Sequence, residues 1–308
     1  MEYDAIMKYF LAFLLLLSCK HHAAKEPIAQ DQENIRQIKE KLALYENLSR
    51  KYFDANNSIP LFSCDALEFV GYLVSAQTNI TAFESAKEPG AWYRTPEKNC
   101  YDTGRSNSDI SRDGLTGLAY FSAYTDNFGI AERTLQYGYQ HNWYMGRGEI
   151  TATFFTFNMR RLYALLADKG GYHHSDLLKL PEVWAPGLKG YEAHLQVVDA
   201  IIRLKLGSIS PELTARVYEH YKVNPDNFIF NFAYHKVKDG NYAESMNILL
   251  NPVYFPNDRL PTRKLDHCAD YLWQREKFEW TPCDDDRELT GVDFIVAARL
   301  LLKELNYV

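Results

Sequence analysis

The chain has 308 residues, of which 46% are hydrophobic, 24% charged and 14% aromatic, a composition typical of a folded protein. Its formal net charge is −6 and it contains no long run of Lys or Arg, which argues against nucleic acid as a partner. No linker rich in Pro, Ser or Gly divides the sequence after residue 32, so we predict a single helical domain over residues 33–308.

The first residues have the pattern of an export signal. An apolar run from Phe10 to Leu17 is shorter than the roughly 20 residues that a membrane-spanning helix needs. The segment Leu16–Cys19 resembles the lipobox of bacterial lipoproteins, in which a small residue precedes the cysteine that is diacylated. The alternative is an apolar helix packed in the core, with Cys19 as an ordinary thiol.

This resemblance implies both a location and an anchor. Residues 1–18 would be a signal peptide, residues 19–32 a flexible tether, and Cys19 the lipidation site that holds the protein on a membrane of the cell envelope. In a Gram-negative cell, Lys20 after the cysteine implies the outer membrane, facing the periplasm or the cell surface. The acidic start departs from the usual basic leader, and a start at Met7 would restore the expected charge.

Export would place the other four cysteines in an oxidising compartment, where disulfides are more common than metal sites. Three pairings are open, and proximity in sequence favours Cys64–Cys100 and Cys268–Cys283. Zinc sites use short paired spacings such as Cys-x-x-Cys, which this sequence lacks. We therefore predict disulfides, no metal and no cofactor.

Helical periodicity dominates the rest of the chain. Apolar residues spaced by three and four predict amphipathic helices over Ile35–Tyr45 and Leu188–Ile202. Ser210-Pro211-Glu212 is a typical helix start. Strand-like alternation is scarce, so we predict an all-α fold of antiparallel helical hairpins. Further helices are predicted near residues 64–76, 113–124, 128–140, 153–168, 211–222, 227–238, 242–250, 266–276 and 290–305.

Ten or so helices in sequence-adjacent pairs resemble the six-hairpin (α/α) toroids of carbohydrate-active proteins, over most of residues 33–305. The resemblance lies in the architecture and not in a motif. It implies a complete or incomplete toroid, whose rim loops surround a funnel where aromatic rings stack on sugars and carboxyl groups transfer protons. Other helical bundles are the alternative.

Three acids are the candidate catalytic residues: Asp109, Asp113 and Glu149. Glycoside hydrolysis uses two carboxyl groups roughly 5–10 Å apart, a separation that the sequence does not give. The alternative for the first two acids is structural, with Ser111 or Asp113 capping the next helix and Arg112 pairing with a neighbouring acid.

Candidate ligand-binding residues are mostly aromatic and fall in predicted loops. The stretch 140–149 combines an imidazole, an amide, two aromatic rings, a guanidinium and a carboxylate, and it resembles the Asn/His/Tyr sites of toroidal polysaccharide lyases, although in a different order. A loop anchored by Trp143, with Arg147 and Glu149 as a solvated pair, is the alternative. The candidates are Trp92, Arg112, His141, Trp143, Tyr144, Arg147 and Trp184.

These patterns predict a membrane-anchored lipoprotein that binds or processes carbohydrate or cell-wall polymer through its aromatic loops. If it is an enzyme, a glycoside hydrolase is favoured over a polysaccharide lyase. The alternative is a non-catalytic envelope lipoprotein that binds a protein partner, for which an exposed apolar patch is expected.

Overall fold

A computed structural model describes residues 29–52, 66–73, 80–96, 109–147, 152–188, 190–260 and 291–307. These residues are mostly helical with one small sheet, and the predicted all-α class is confirmed. The signal peptide, most of the tether, the helix predicted at 266–276, Glu149 and all five cysteines lie outside the described residues.

The described α-helices follow the predicted order closely, with an additional short turn of helix after residue 174. Short 3-10 helices cover Arg50–Tyr52 and Ile80–Phe83. In chain order the α-helices are α1 (Ala29–Ser49), α2 (Ala66–Leu73), α3 (Arg112–Thr125), α4 (Gly129–Gln140), α5 (Phe157–Lys169), α6 (Ser175–Leu178), α7 (Gly190–Lys205), α8 (Pro211–Val223), α9 (Phe228–Lys238), α10 (Ala243–Leu250) and α11 (Val292–Glu304).

Two helices begin at serines whose hydroxyl oxygens accept hydrogen bonds from backbone amides of the first turn. Ser111 Oγ accepts a hydrogen bond from the Gly114 amide at 3.0 Å and caps α3. Ser210 Oγ accepts one from the Leu213 amide at 3.0 Å and caps α8, with Pro211 as its first residue. The predicted start of α8 is therefore confirmed, and Ser111 has the structural role that we considered for it.

Two boundaries differ from the prediction. Helix α1 already begins at Ala29, inside the predicted tether, with Asp31 in its first turn where the helix dipole favours an acid. The helix predicted from residue 153 begins only at Phe157, because Ala152–Phe154 forms strand β2. This strand pairs antiparallel with β1 (Tyr144–Arg147) in a hairpin that the sequence analysis did not predict.

The helices contact one another in a closed circuit that runs from α1 to α11, α2, α3, α7, α9 and α10 and returns to α1. Helix α3 also packs against α4 and α5, in addition to its neighbours α2 and α7 in the circuit. Helices α2 and α3 meet backbone to backbone, since a Cβ at Gly71 would lie 2.1 Å from the Gly117 carbonyl oxygen. The toroid itself stays a prediction.

Helix α1 is tied to the C-terminal part of the chain by polar contacts as well as apolar packing. The ammonium of Lys41 donates to the Leu249 carbonyl oxygen at 3.0 Å, and its burial lowers its pKa to about 8. Arg299 of α11 pairs with Glu46 at 2.7 Å and also donates to the Leu73 carbonyl oxygen at 2.9 Å. Among the helices described, none has the length and apolarity to span a membrane.

Candidate functional site

Asp109 is fixed by two segments that are distant in sequence. Its backbone forms an isolated antiparallel bridge with Tyr93, and Arg94 Nε donates to its carbonyl oxygen at 3.3 Å. On the other side, the backbone amide of Arg147 in β1 donates to Asp109 Oδ2 at 2.8 Å. The carboxyl group therefore has a defined position next to the hairpin.

Gly146 allows this close approach. Its φ is +138°, and a Cβ at this position would lie only 2.3 Å from the Asp109 Cβ. A side chain would both strain the backbone and collide with the aspartate, so the geometry requires glycine.

The electrostatic surroundings of Asp109 favour its protonated form. The side chain is partly buried, and this burial raises its pKa above the ordinary value; the nearby charge of Glu88 raises the pKa further, while the Arg147 amide opposes both effects. A carboxyl group that keeps its proton to higher pH has the property required of a general acid. Glu88 itself is exposed and supplies a second carboxyl group near it.

Tyr137 is influenced electrostatically by both acids and by two other tyrosines. Burial raises the pKa of Tyr137, and the charges of both acids and of the Tyr93 and Tyr144 hydroxyls raise it further. His141 stacks on Tyr137 with ring centroids 4.0 Å apart. We call this group the acid site: Glu88, Tyr93, Asp109, Tyr137 and Tyr144.

A second group of aromatic residues lies beside the hairpin, near the start of α5. The Trp143 ring lies 4.5 Å from that of Tyr139, centroid to centroid. The Arg160 guanidinium carbon lies 4.2 Å from the Trp143 centroid and 5.0 Å from that of Phe157. Phe157 is 55% exposed and Tyr139 41% exposed. We call this group the aromatic face: Tyr139, Trp143, Phe157 and Arg160.

The turn that carries Trp143 is strained. Asn142 and Trp143 have φ values of 52° and 65°, in a region that costs a bulky residue about 1–3 kcal/mol. Tertiary contacts maintain this conformation. The Trp143 amide donates to the Gly138 carbonyl oxygen at 2.7 Å, and the indole packs so closely on Gly138 that a Cβ there would meet it at 2.8 Å.

Asp113 lies in a different environment from Asp109. It is in the first turn of α3, and its charge raises the pKa of the buried His194 on α7, although burial outweighs this effect and lowers that pKa to about 3. The Tyr72 hydroxyl lies 3.5 Å from His194 Nε2. Of the three candidate acids, Asp109 and Asp113 thus have different neighbours, and Glu149 lies outside the described residues.

Trp92, predicted as a ligand-binding residue, has a buried side chain. This side chain is only 1% exposed, and its indole N–H donates to Thr134 Oγ1 at 2.9 Å. Trp92 therefore belongs to the core. It lies in an extended segment, where successive side chains point to opposite faces, and the next residue, Tyr93, is only half-buried.

The remaining predicted residues are divided among several surroundings. Tyr144 and Arg147 lie on the hairpin at the acid site, where His141 also stacks, and Trp143 belongs to the aromatic face. Arg112 is exposed at the start of α3. Trp184 is half-buried, with its ring centroid 5.7 Å from the Arg203 guanidinium, which forms a buried ion pair with Asp199 at 2.6 Å.

Six residues of these two groups were missed by the sequence analysis: Glu88, Tyr93, Tyr137, Tyr139, Phe157 and Arg160. Alternation with Trp92 could have indicated the outward position of Tyr93, and the Pro-Gly that follows Glu88 could have indicated a surface turn. Tyr137 and Arg160 lie within helices and carry no local signal for a site.

Within the described ranges, no group of three or more His, Cys, Asp or Glu side chains is arranged to hold a metal ion. Comparisons with protein-family models, with curated proteins and with solved structures find no match for this chain.

Proposed function

We propose that this chain is a membrane-anchored envelope lipoprotein whose helical domain binds carbohydrate or cell-wall polymer and hydrolyses it at the acid site. The observation that carries the proposal is the partly buried Asp109, whose raised pKa suits a proton donor and which has a second carboxyl group nearby. The lipobox pattern at Cys19 supports the envelope location.

In this proposal the two acids have complementary roles. The protonated Asp109 donates to the glycosidic oxygen of the leaving group, while the carboxylate of Glu88 activates a water molecule or attacks the sugar directly. The phenol rings of Tyr93, Tyr137 and Tyr144 offer apolar faces and hydroxyl groups to a sugar ring. A lyase is less well supported, because the His141 imidazole is stacked on Tyr137 and its Nδ1 lies 2.9 Å from the Tyr137 carbonyl oxygen.

The test is a screen of glycans and peptidoglycan fragments, with analysis of products for every compound that binds. Asp109→Asn and Glu88→Gln should each lower turnover by roughly 100-fold or more, the usual contribution of a general acid or base, while ligand binding is retained. Asp168→Asn is the matched control, because this exposed acid pairs with the exposed His173 at 3.0 Å and should leave turnover unchanged.

Three other outcomes of this screen would limit or contradict the proposal. Turnover that survives Asp109→Asn would exclude this residue as the proton donor. Binding by the wild-type protein without turnover would leave a carbohydrate-binding lipoprotein, and failure of every glycan to bind would contradict the proposal.

A protein partner is the second candidate function, and exposed apolar side chains support it. Phe154, Phe157 and Val183 are 56%, 55% and 57% exposed, and the Val183 amide is bonded to Asn158 Oδ1 at 2.9 Å, next to Phe157 in sequence. Exposed apolar groups gathered on one face are typical of interaction surfaces. Crosslinking in the intact envelope, compared between wild type and Phe154→Ser, would reveal a partner that depends on this surface.

A further inference from the structure

Arg160 has a guanidinium group whose hydrogen-bonding capacity is mostly unused. Its Nε donates to the Phe155 carbonyl oxygen at 2.7 Å. Within the described part of the chain, its two terminal nitrogens make no hydrogen bond and no ion pair. Trp143 and Phe157, at 4.2 and 5.0 Å from its central carbon, hold the plane of the group in place.

Among the described residues, no acidic side chain forms an ion pair with Arg160. Burial lowers the pKa of its guanidinium, and only the Tyr139 hydroxyl opposes this effect. The first turn of α5 contains no acidic residue, and the Arg160 side chain reaches back to Phe155, towards the positive end of the helix dipole. The acid on this side, Asp176, accepts a hydrogen bond from Tyr139 at 2.9 Å and makes no contact with Arg160.

Removing a cation from water costs free energy when it has no anionic partner. Binding of an anion offsets this cost through charge-assisted hydrogen bonds. The planar guanidinium presents parallel N–H groups that match the two oxygens of a carboxylate. The exposed faces of Phe157 and Tyr139 next to it can contact the apolar side of a sugar ring.

We propose that Arg160 binds a carboxylate of the ligand, and that the aromatic face receives the sugar ring that bears it, so that the polymer recognised is an acidic saccharide. This inference rests on the proposed function, and it names the class of carbohydrate.

The experiment uses the full-length protein in detergent and two probes of the same shape, tetragalacturonate and its methyl ester, which lacks the negative charges. Calorimetric titration of the wild type should show at least a tenfold tighter binding of the acid, with an affinity that falls as salt is added. Arg160→Gln should abolish this preference, and Arg160→Lys should retain part of it.

Lys179→Gln is the control, because it removes one exposed positive charge from the loop after α6 and should leave the preference for the acid intact. The comparison of acid with ester is made within each variant, so a change in stability alone does not alter the result.

Equal affinity for acid and ester, or a preference that persists in Arg160→Gln, would overturn the inference. If neither galacturonate probe binds while other glycans do, the inference fails and the proposed function stands; if no glycan binds, both fail. Binding of free peptide carboxylates in place of saccharides would also overturn it.

Discussion

Asp109 lies in a position where burial disfavours the charged form of its carboxyl group. Its folded-state pKa is raised above the ordinary value of 3.8, so the folded protein binds this proton more tightly than the unfolded chain does. The contribution of Asp109 to the free energy of unfolding is therefore fully present below a pH of about 3.8, and it is lost as pH rises through the folded-state pKa. At neutral pH the residue is destabilising, as is common for groups placed for chemistry.

Replacement of Asp109 by Asn should consequently increase the free energy of unfolding at pH 7. The Asn side chain keeps an oxygen that can accept from the Arg147 amide and removes the charge, and the gain should shrink as pH falls towards 3.8. Urea unfolding at pH 7 and at pH 4, with Asp168→Asn as a control for loss of an exposed acid, measures this effect. A variant that is less stable than the wild type at pH 7 would show that the charge of Asp109 stabilises the fold.

The hairpin β1–β2 is the element that links the acid site to the aromatic face. Arg147 and Gly146 contact Asp109 from one strand, and the turn before that strand places Trp143 over Arg160. A displacement of this hairpin would therefore alter both groups together.

Gly146→Ala tests this link. The new Cβ would collide with Asp109 at a backbone φ of +138°, so we expect a loss of about 1–3 kcal/mol in the free energy of unfolding, together with loss of the acid site's function. Gly171→Ala is the matched control, since Gly171 has a φ of +85° but no atom within 4 Å of a built Cβ. Denaturant unfolding of both variants separates the effect of the collision from that of backbone strain, because both glycines have a positive φ and only Gly146 lies against Asp109. Equal losses in the free energy of unfolding would show that the contact with Asp109 is unimportant.

The first helix described in the chain packs against the last two, since α1 contacts both α10 and α11. The segment before α1 leads back to Cys19, the predicted lipidation site, so the anchor would be attached to a helix that belongs to the closed circuit. This arrangement would hold the domain near the membrane through one of its structural helices.

Cys19→Ala should release the protein from membranes and abolish its labelling by a radioactive fatty acid, because two acyl chains provide the stable attachment. Fractionation of cells that express either form measures this outcome. Unchanged membrane retention of the variant would contradict the lipoprotein prediction.

The sequence by itself determined the helical class and most helix positions. Apolar residues at helical spacing place a stripe on one face wherever they occur, and capping by Ser210 depends only on residues of the same turn, so these features are local. The predicted polar stretches also contained Asp109, Trp143 and Tyr144, since chemistry-bearing residues collect in connecting segments.

Only the tertiary structure decided how these residues are combined. Asp109 was one of three candidate acids, and its environment is set by burial, by the Arg147 amide and by the charge of Glu88, a residue far from it in sequence. Arg160 lies in an ordinary helical pattern, and its unused guanidinium becomes visible only once Trp143 packs over it. The charge state and the exposure of a side chain depend on its burial and on segments that are far apart in the chain. The local spacing of residues therefore does not determine either property.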